Sequence, residues 1–359
     1  EIASCLVGSE MCIRDSNPSQ SYVNEKYLGM IRNIKRNFWF ILEQFGASPI
    51  AHKSYLFERE HSLEKYNAND LFLPYATSLR MSDVGYQSNI QDSLKISYNN
   101  LDEFINALVK GIKTPVKKFN DIGMFDDAGI AQQISTGILQ IENELYDIVR
   151  PKRSGPSGSR PASLLKTGGI EYLELRGIDV NPFIPEGIDV SKIKLLDIYI
   201  THSLISESPL ISDEEIKEIK ANQKIMVSEG RMKNVMLSKN GDLISLAEIR
   251  KNFLAELEQT AEALDEYSEG YLKAFHLEIN KNMFLSEKIL TEMDVKGFEF
   301  QEYALNQSKK IAENYNSSDI SDFYALTNSA QTSIENLRNL EESSSMDINK
   351  YVELYNSKI

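Results

Sequence analysis

The chain has 359 residues, 42% hydrophobic and 26% charged, the balance of a folded globular protein with one large domain or two small ones. Its net charge of −14 argues against a general nucleic-acid binder, which needs basic surface to displace counterions from phosphates. No apolar run is long enough to span a bilayer, which argues against a membrane protein.

Both cysteines, Cys5 and Cys12, fall in an unusual N-terminal stretch. Leu6–Ser16 reads LVGSEMCIRDS, and Leu6–Asp15 is the translation in one frame of a tagmentation sequencing adapter that ends on an incomplete Ser or Arg codon, so residues 1–16 are read as non-native and residues 17–359 as the protein proper. The native part then has no thiol nucleophile, disulfide or Cys-ligated zinc site.

From Val23 to Phe45, apolar residues at helical spacing predict one helix, stopped by Gly46 and kept from resuming by Pro49. A polar stretch to Asp70 reads as loop, and Leu71–Tyr86 as an aperiodic segment dense in Tyr, Arg and Ser. Asn99 or Asn100 is positioned to cap a helix burying Leu101, Phe104, Ile105, Leu108 and Ile112. Alternation predicts strands over Ile138–Val149 and Ile170–Val180, separated by a mobile Gly/Ser/Pro loop, Arg150–Ser163, with four cations. Beyond Phe183 the pattern is helical. Asp189 caps a helix with core positions Ile193, Leu196 and Ile200, and Ser212-x-x-Glu215 and Ser245-x-x-Glu248 are capping boxes. The fold class is α+β with a helical C-terminal half.

A strand over Ile170–Val180 places Tyr172, Glu174 and Arg176 on one face. A carboxylate beside a guanidinium suits an ATP site, the one meeting a hard cation and the other phosphate oxygens; an ordinary surface ion pair has the same spacing. On the preceding strand, Gln140, Glu142, Glu144 and Tyr146 share a face that is either a site or solvated sheet, and Arg150, Lys152 and Arg153 either meet polyphosphate or stay solvated. His52, His61, His202 and His276 form no metal-binding pair, no P-loop or Rossmann fingerprint occurs, and Trp39 reads as a packing residue.

Four blocks carry more than these spacings: FGASP at Phe45–Pro49, LPYATSLRMSDVGY at Leu73–Tyr86, QIENELYDIVRPKR at Gln140–Arg153 and GGIEYLELRGIDVNPF at Gly168–Phe183. In order and spacing they resemble the proteobacterial glutamate–cysteine ligases, relatives of glutamine synthetase in fold. The resemblance implies an antiparallel sheet of the glutamine synthetase-like type, incomplete here, forming a substrate funnel flanked by helices. It also implies a cytoplasmic enzyme that takes glutamate, cysteine and ATP with Mg²⁺ and makes the first bond of glutathione through a γ-glutamyl phosphate. By resemblance, Arg80 holds glutamate, Tyr86 and Tyr146 line the cysteine pocket, Glu174 is a magnesium ligand, and the catalytic Arg176 faces the transferred phosphate. Asn143 and Lys152 lie in the same blocks without assigned roles. The family's Glu-x-Glu metal motif, further acidic ligands and a histidine precede these blocks and do not occur here, so the polypeptide as given is expected to be inactive. The other readings are a carboxylate–amine ligase with a different acceptor and a catalytically dead regulatory homologue.

Overall fold

The structure, a computed structural model, describes residues 18–56, 59–85, 89–316, 324–343 and 346–358. The stretch read as adapter and Tyr86 therefore lie outside the described residues.

The helix expected over Val23–Phe45 is two helices, α1 (Gln20–Arg36) and α2 (Phe38–Phe45). Asn37 leaves the helical region, with φ −105° and ψ 19°, and its carbonyl accepts from Phe40 N at 3.0 Å. The bend has a packing reason. All eight residues of α2 are buried, Glu43 and Gln44 included, and no continuation of α1, with its solvated face, would bury them. Aromatic side chains then close the core, with Phe40 5.5 Å from both Tyr199 and Phe253.

The polar stretch after α2 contains strands the sequence did not signal. β1 (Ile50–His52), β2 (Glu64–Lys65) and β3 (Asp70–Phe72) form an antiparallel sheet in the order β1-β3-β2. Helix α3 (Leu101–Lys113) is capped by Asn100 Oδ1, which accepts from Asp102 N at 2.7 Å, and it buries Phe104, Ile105, Leu108 and Ile112. A short helix α4 (Lys117–Ile122) follows.

The strand expected over Ile138–Val149 is absent. The chain makes a 3₁₀ turn at Glu142–Glu144, and only Val149–Lys152 is strand β4. Alternation would put Glu142 and Tyr146 on one face, but Glu142 is buried while Tyr146 is 45% exposed. The turn is needed to carry the Glu142 carboxylate inward, where it accepts from Arg160 Nε at 3.1 Å. The second expected strand shrinks to β5 (Tyr172–Leu175), antiparallel to β4 with Arg150 opposite Glu174, although Arg176 N still bonds Ile148 O at 2.8 Å. The Arg150–Ser163 segment is anchored rather than mobile. It contributes β4, and Arg160, buried at its far end, leads into α5 (Pro161–Gly168).

The rest is helical apart from one hairpin. Asp189 caps α6 (Val190–Ile205), and Ser212 and Ser245 cap α7 (Asp213–Glu229) and α8 (Leu246–Asp265) as their boxes require. Between them lies the hairpin β6 (Met236–Lys239) and β7 (Asp242–Ser245). The face of α6 is rotated from expectation: Leu195, Ile198 and Tyr199 are buried and Ile193 is 44% exposed. The rotation takes Lys192 inside, where it meets Glu278 at 3.1 Å on α9 (Tyr271–Ile279). Helices α10 (Leu285–Lys296) and α11 (Phe300–Asn316) make a satellite core with β1. α12 (Tyr324–Ser343) is followed by α13 (Ile348–Asn356). The architecture is α+β, with the expected sheet represented by three small antiparallel sheets among the described residues. No described helix is long and apolar enough to cross a membrane.

Candidate functional site

Pairing Arg150 with Glu174 across β4 and β5 turns both side chains to the same face of the ribbon. Arg150 Nη2 donates to Glu174 Oε2 at 2.7 Å, Arg176 Nε lies 3.1 Å from Oε1, and Lys152 Nζ is 3.7 Å from Oε2. Burial would raise the Glu174 carboxyl, but hydrogen bonds and charge from Arg150 and Arg176 outweigh it and hold it below the usual carboxylate range. Arg150 itself is committed to structure, its Nη1 donating to the carbonyls of Asn143 and Leu145 at 2.7 and 2.9 Å. Lys152 donates to Asn143 Oδ1 at 2.9 Å, and Arg153 to Gly168 O at 2.5 Å. The basic trio is thus mostly internal bracing.

Beyond Glu174 the chain runs through Arg176, Gly177 and Ile178 to Asp179, and these residues hold Arg80. Arg80 Nη2 donates to the carbonyls of Arg176 and Ile178 at 2.9 and 2.8 Å, and its Nε meets Asp179 Oδ1 at 2.5 Å. Asp179 Oδ2 accepts from Ala47 N and Ser48 Oγ, both at 2.8 Å, so one buried carboxylate gathers the FGASP turn, the Arg80 turn and the end of β5. Gly177 permits this approach: a Cβ there would lie 2.3 Å from Phe38 Cε2.

Arg80, Arg176 and Tyr146 line a cleft of about 990 Å³, and Glu174 stands outside its wall. On another side, Lys35 Nζ and Tyr98 Oη both donate to Asp147, at 2.6 and 2.7 Å. Seven lysines and arginines line the cleft against four aspartates, a basic hollow in an acidic chain. A second cavity of about 300 Å³ opens at the other end of the ribbon, lined by Asn143, Lys152, Tyr172 and the Ser154–Ser159 loop.

Three expected site residues, Arg80, Tyr146 and Arg176, therefore share the cleft, and Glu174 sits between the cavities. Sequence reasoning missed Asp179, Gly177 and the Lys35–Tyr98–Asp147 cluster. Asp179 carried a signal, since it stands on the far side of the one glycine in Leu175–Val180.

The surroundings of Glu174 do not fit a resident divalent cation. Three cations already contact its one carboxylate, and no described group of three or more His, Cys, Asp or Glu is placed to hold a metal. The magnesium role of Glu174 stays an expectation of the resemblance, and no step below uses it.

A family model described as glutamate-cysteine ligase matches residues 6–226. The chain is 36% identical over 348 residues to the glutamate–cysteine ligase of Pseudomonas putida, covering 95% of this chain and 66% of that protein. It is also 36% identical over 304 residues to that of Alcanivorax borkumensis, covering 82% and 58%. The crystal structure of glutamate–cysteine ligase from Francisella tularensis in complex with AMP matches with a TM-score of 0.85 at 26% identity, covering 96% of this chain and 69% of that one. The chain thus spans 66% or less of the length of these two curated relatives.

Proposed function

This chain belongs to the glutamate–cysteine ligase family, and we propose that it carries the phosphate and amino-acid sites of an ATP-dependent ligase joining the glutamate γ-carboxylate to the amine of cysteine. The observation that carries the reading is a single line of side chains along β5 and the residue that follows it. Tyr172 opens on the small cavity, Glu174 lies between, and Arg176 opens on the cleft. Four residues of extended chain span about 13 Å, enough for a nucleotide laid with its base by Tyr172 and its terminal phosphate at Arg176. The AMP complex of the Francisella relative supports a nucleotide here.

In this reading glutamate occupies the cleft and Arg80, held by Asp179, meets a substrate carboxylate. A γ-carboxylate oxygen attacks the γ-phosphorus of ATP and ADP leaves. The guanidinium of Arg176 neutralises charge that grows on the phosphoryl oxygens. The cysteine amine then attacks the acyl carbon, the phosphate leaves, and the amine proton passes to solvent. Tyr146, and Tyr86 by resemblance, would bound the thiol side chain. The lysine-rich cleft favours anionic substrates, and positioning supplies most of the rate.

Calorimetric titration of the chain with ADP tests the nucleotide half: binding that Tyr172→Ala weakens about tenfold is expected, a base–aromatic stacking loss. Unchanged affinity in that variant would move the base elsewhere. In separate samples supplied with ATP, ADP release that depends on both glutamate and cysteine reads turnover.

A further inference from the structure

The short helix α13 and the residues just after it contact both sides of the smaller cavity's surroundings. On one side Asn349 Nδ2 donates to Gly129 O at 2.7 Å and Asn356 Nδ2 to Ile134 O at 2.7 Å, pinning the segment that leads into Glu142. On the other, Lys358 Nζ donates to Gly158 O at 3.0 Å and Ser163 Oγ to Lys358 O at 3.1 Å, pinning the cavity's loop.

Between the two sides lies Arg160. Its side chain and that of Glu142 are 1% and 2% exposed, and their single contact is Nε to Oε1 at 3.1 Å. Arg160 Nη1 and Nη2 and Glu142 Oε2 are buried and make no well-formed hydrogen bond, though the Tyr355 hydroxyl lies near enough to the guanidinium to interact with it. The ring of Tyr355, on α13, covers the guanidinium at 4.3 Å, in the desolvated setting where a cation–π contact is strongest. Arg160 ends the Ser154–Ser159 loop, and Glu142 precedes Asn143, which braces both Lys152 and Arg150. From Tyr355, an unbroken set of contacts thus reaches both faces of the cavity and the partners of Glu174.

We infer that α13 is a latch for the nucleotide cavity, with Tyr355 and Arg160 as positioning residues that hold the Ser154–Ser159 loop against Asn143 and Lys152. The inference rests on the nucleotide reading above and adds the element that sets that site's shape. Without the Tyr355 side chain, the buried guanidinium keeps its Nε contact to Glu142 but has neither the hydroxyl nor a π face over its terminal nitrogens. The cheapest relief is to move the loop and let water in. The loop that moves is the cavity wall.

The test uses the whole chain, with ADP as probe. Tyr355→Leu keeps apolar bulk but loses the ring face, and should weaken ADP binding about fivefold, within the range of couplings carried through packed networks. Tyr355→Phe keeps the ring and loses only the hydroxyl that also meets Arg160, and should bind more tightly than Tyr355→Leu. Hydrogen exchange should speed up in residues 154–159 and 142–145 of Tyr355→Leu and stay unchanged in α2, which a general loss of stability would not produce. If Tyr355→Leu does not fold, Lys358→Ala removes an exposed contact alone and should give the same exchange pattern with a loss of about twofold. Faster loop exchange with unaltered ADP affinity overturns the inference and leaves the nucleotide reading standing. Unchanged exchange in the loop overturns the latch itself, and no ADP binding by the parent chain overturns both.

Discussion

Arg176 has two tasks in this arrangement, an ion pair with Glu174 and a place at the cleft wall. Replacing it with lysine keeps the charge and loses the planar fork that grips two phosphate oxygens. Arg176→Lys should therefore weaken ATP about tenfold, the loss of one charge-assisted contact, and leave ADP within about twofold. Calorimetry with the two nucleotides checks it, and equal losses would remove Arg176 from the terminal phosphate. Acidity acts on its neighbour. Because the folded Glu174 carboxyl lies below its usual range, its ion pairs are intact at neutral pH and their contribution is lost only as pH falls toward that lowered value. Carbon-13 NMR titration of the Glu174 side chain should show a midpoint below that of a free glutamate. Gly177 offers a steric test. In Gly177→Ala the new methyl meets a buried Phe38 ring, so overpacking should cost about 1–3 kcal/mol by denaturant titration.

At the scale of elements, what could be read from the sequence was whatever local chemistry decides. Asn100, Asp189, Ser212 and Ser245 cap the helices they precede because a side-chain acceptor and the nearest orphan amides are all that a cap needs. Glu174 and Arg176 meet as an ion pair, as their two-residue spacing suggested, although Arg176 lies just past the end of β5. The misses share a different cause: a distant polar partner outweighed the local pattern. Glu142 is turned inward by Arg160, 18 residues on, and Lys192 by Glu278, 86 residues on, so neither an alternating strand nor an apolar stripe foretold them. Roles for Arg80, Glu174 and Arg176 came from resemblance, because spacing cannot distinguish a site from a surface ion pair. The buried Lys192–Glu278 pair gives this an energetic consequence. Lys192→Met leaves a fully buried carboxylate with only Lys281 and the Ser191 hydroxyl, and should destabilise by about 3 kcal/mol, measured by urea titration.

Over the whole molecule, charge is unevenly placed: the chain carries −14 while its cleft is lined by more cations than anions. Binding of ADP or glutamate should accordingly weaken as salt rises, by calorimetry at 50 and 300 mM NaCl. An affinity indifferent to salt would argue that the cleft lysines face the ligand too weakly to matter.

Asp179 has a further meaning when time is considered. Its carboxylate ties together residues 47, 48, 80 and its own segment, so the contacts that shape the cleft close loops of 99 to 132 residues. Chain closures of that length come after the local helices in a folding reaction, because their entropy must be offset before any contact rewards it. The cleft is then among the last features to appear as the chain folds and among the first to be lost when it unfolds. Asp179→Asn should hasten unfolding and barely alter refolding in stopped-flow experiments, the behaviour of a contact absent from the transition state. A slower refolding arm would instead put this carboxylate in the nucleus, and the cleft would form early.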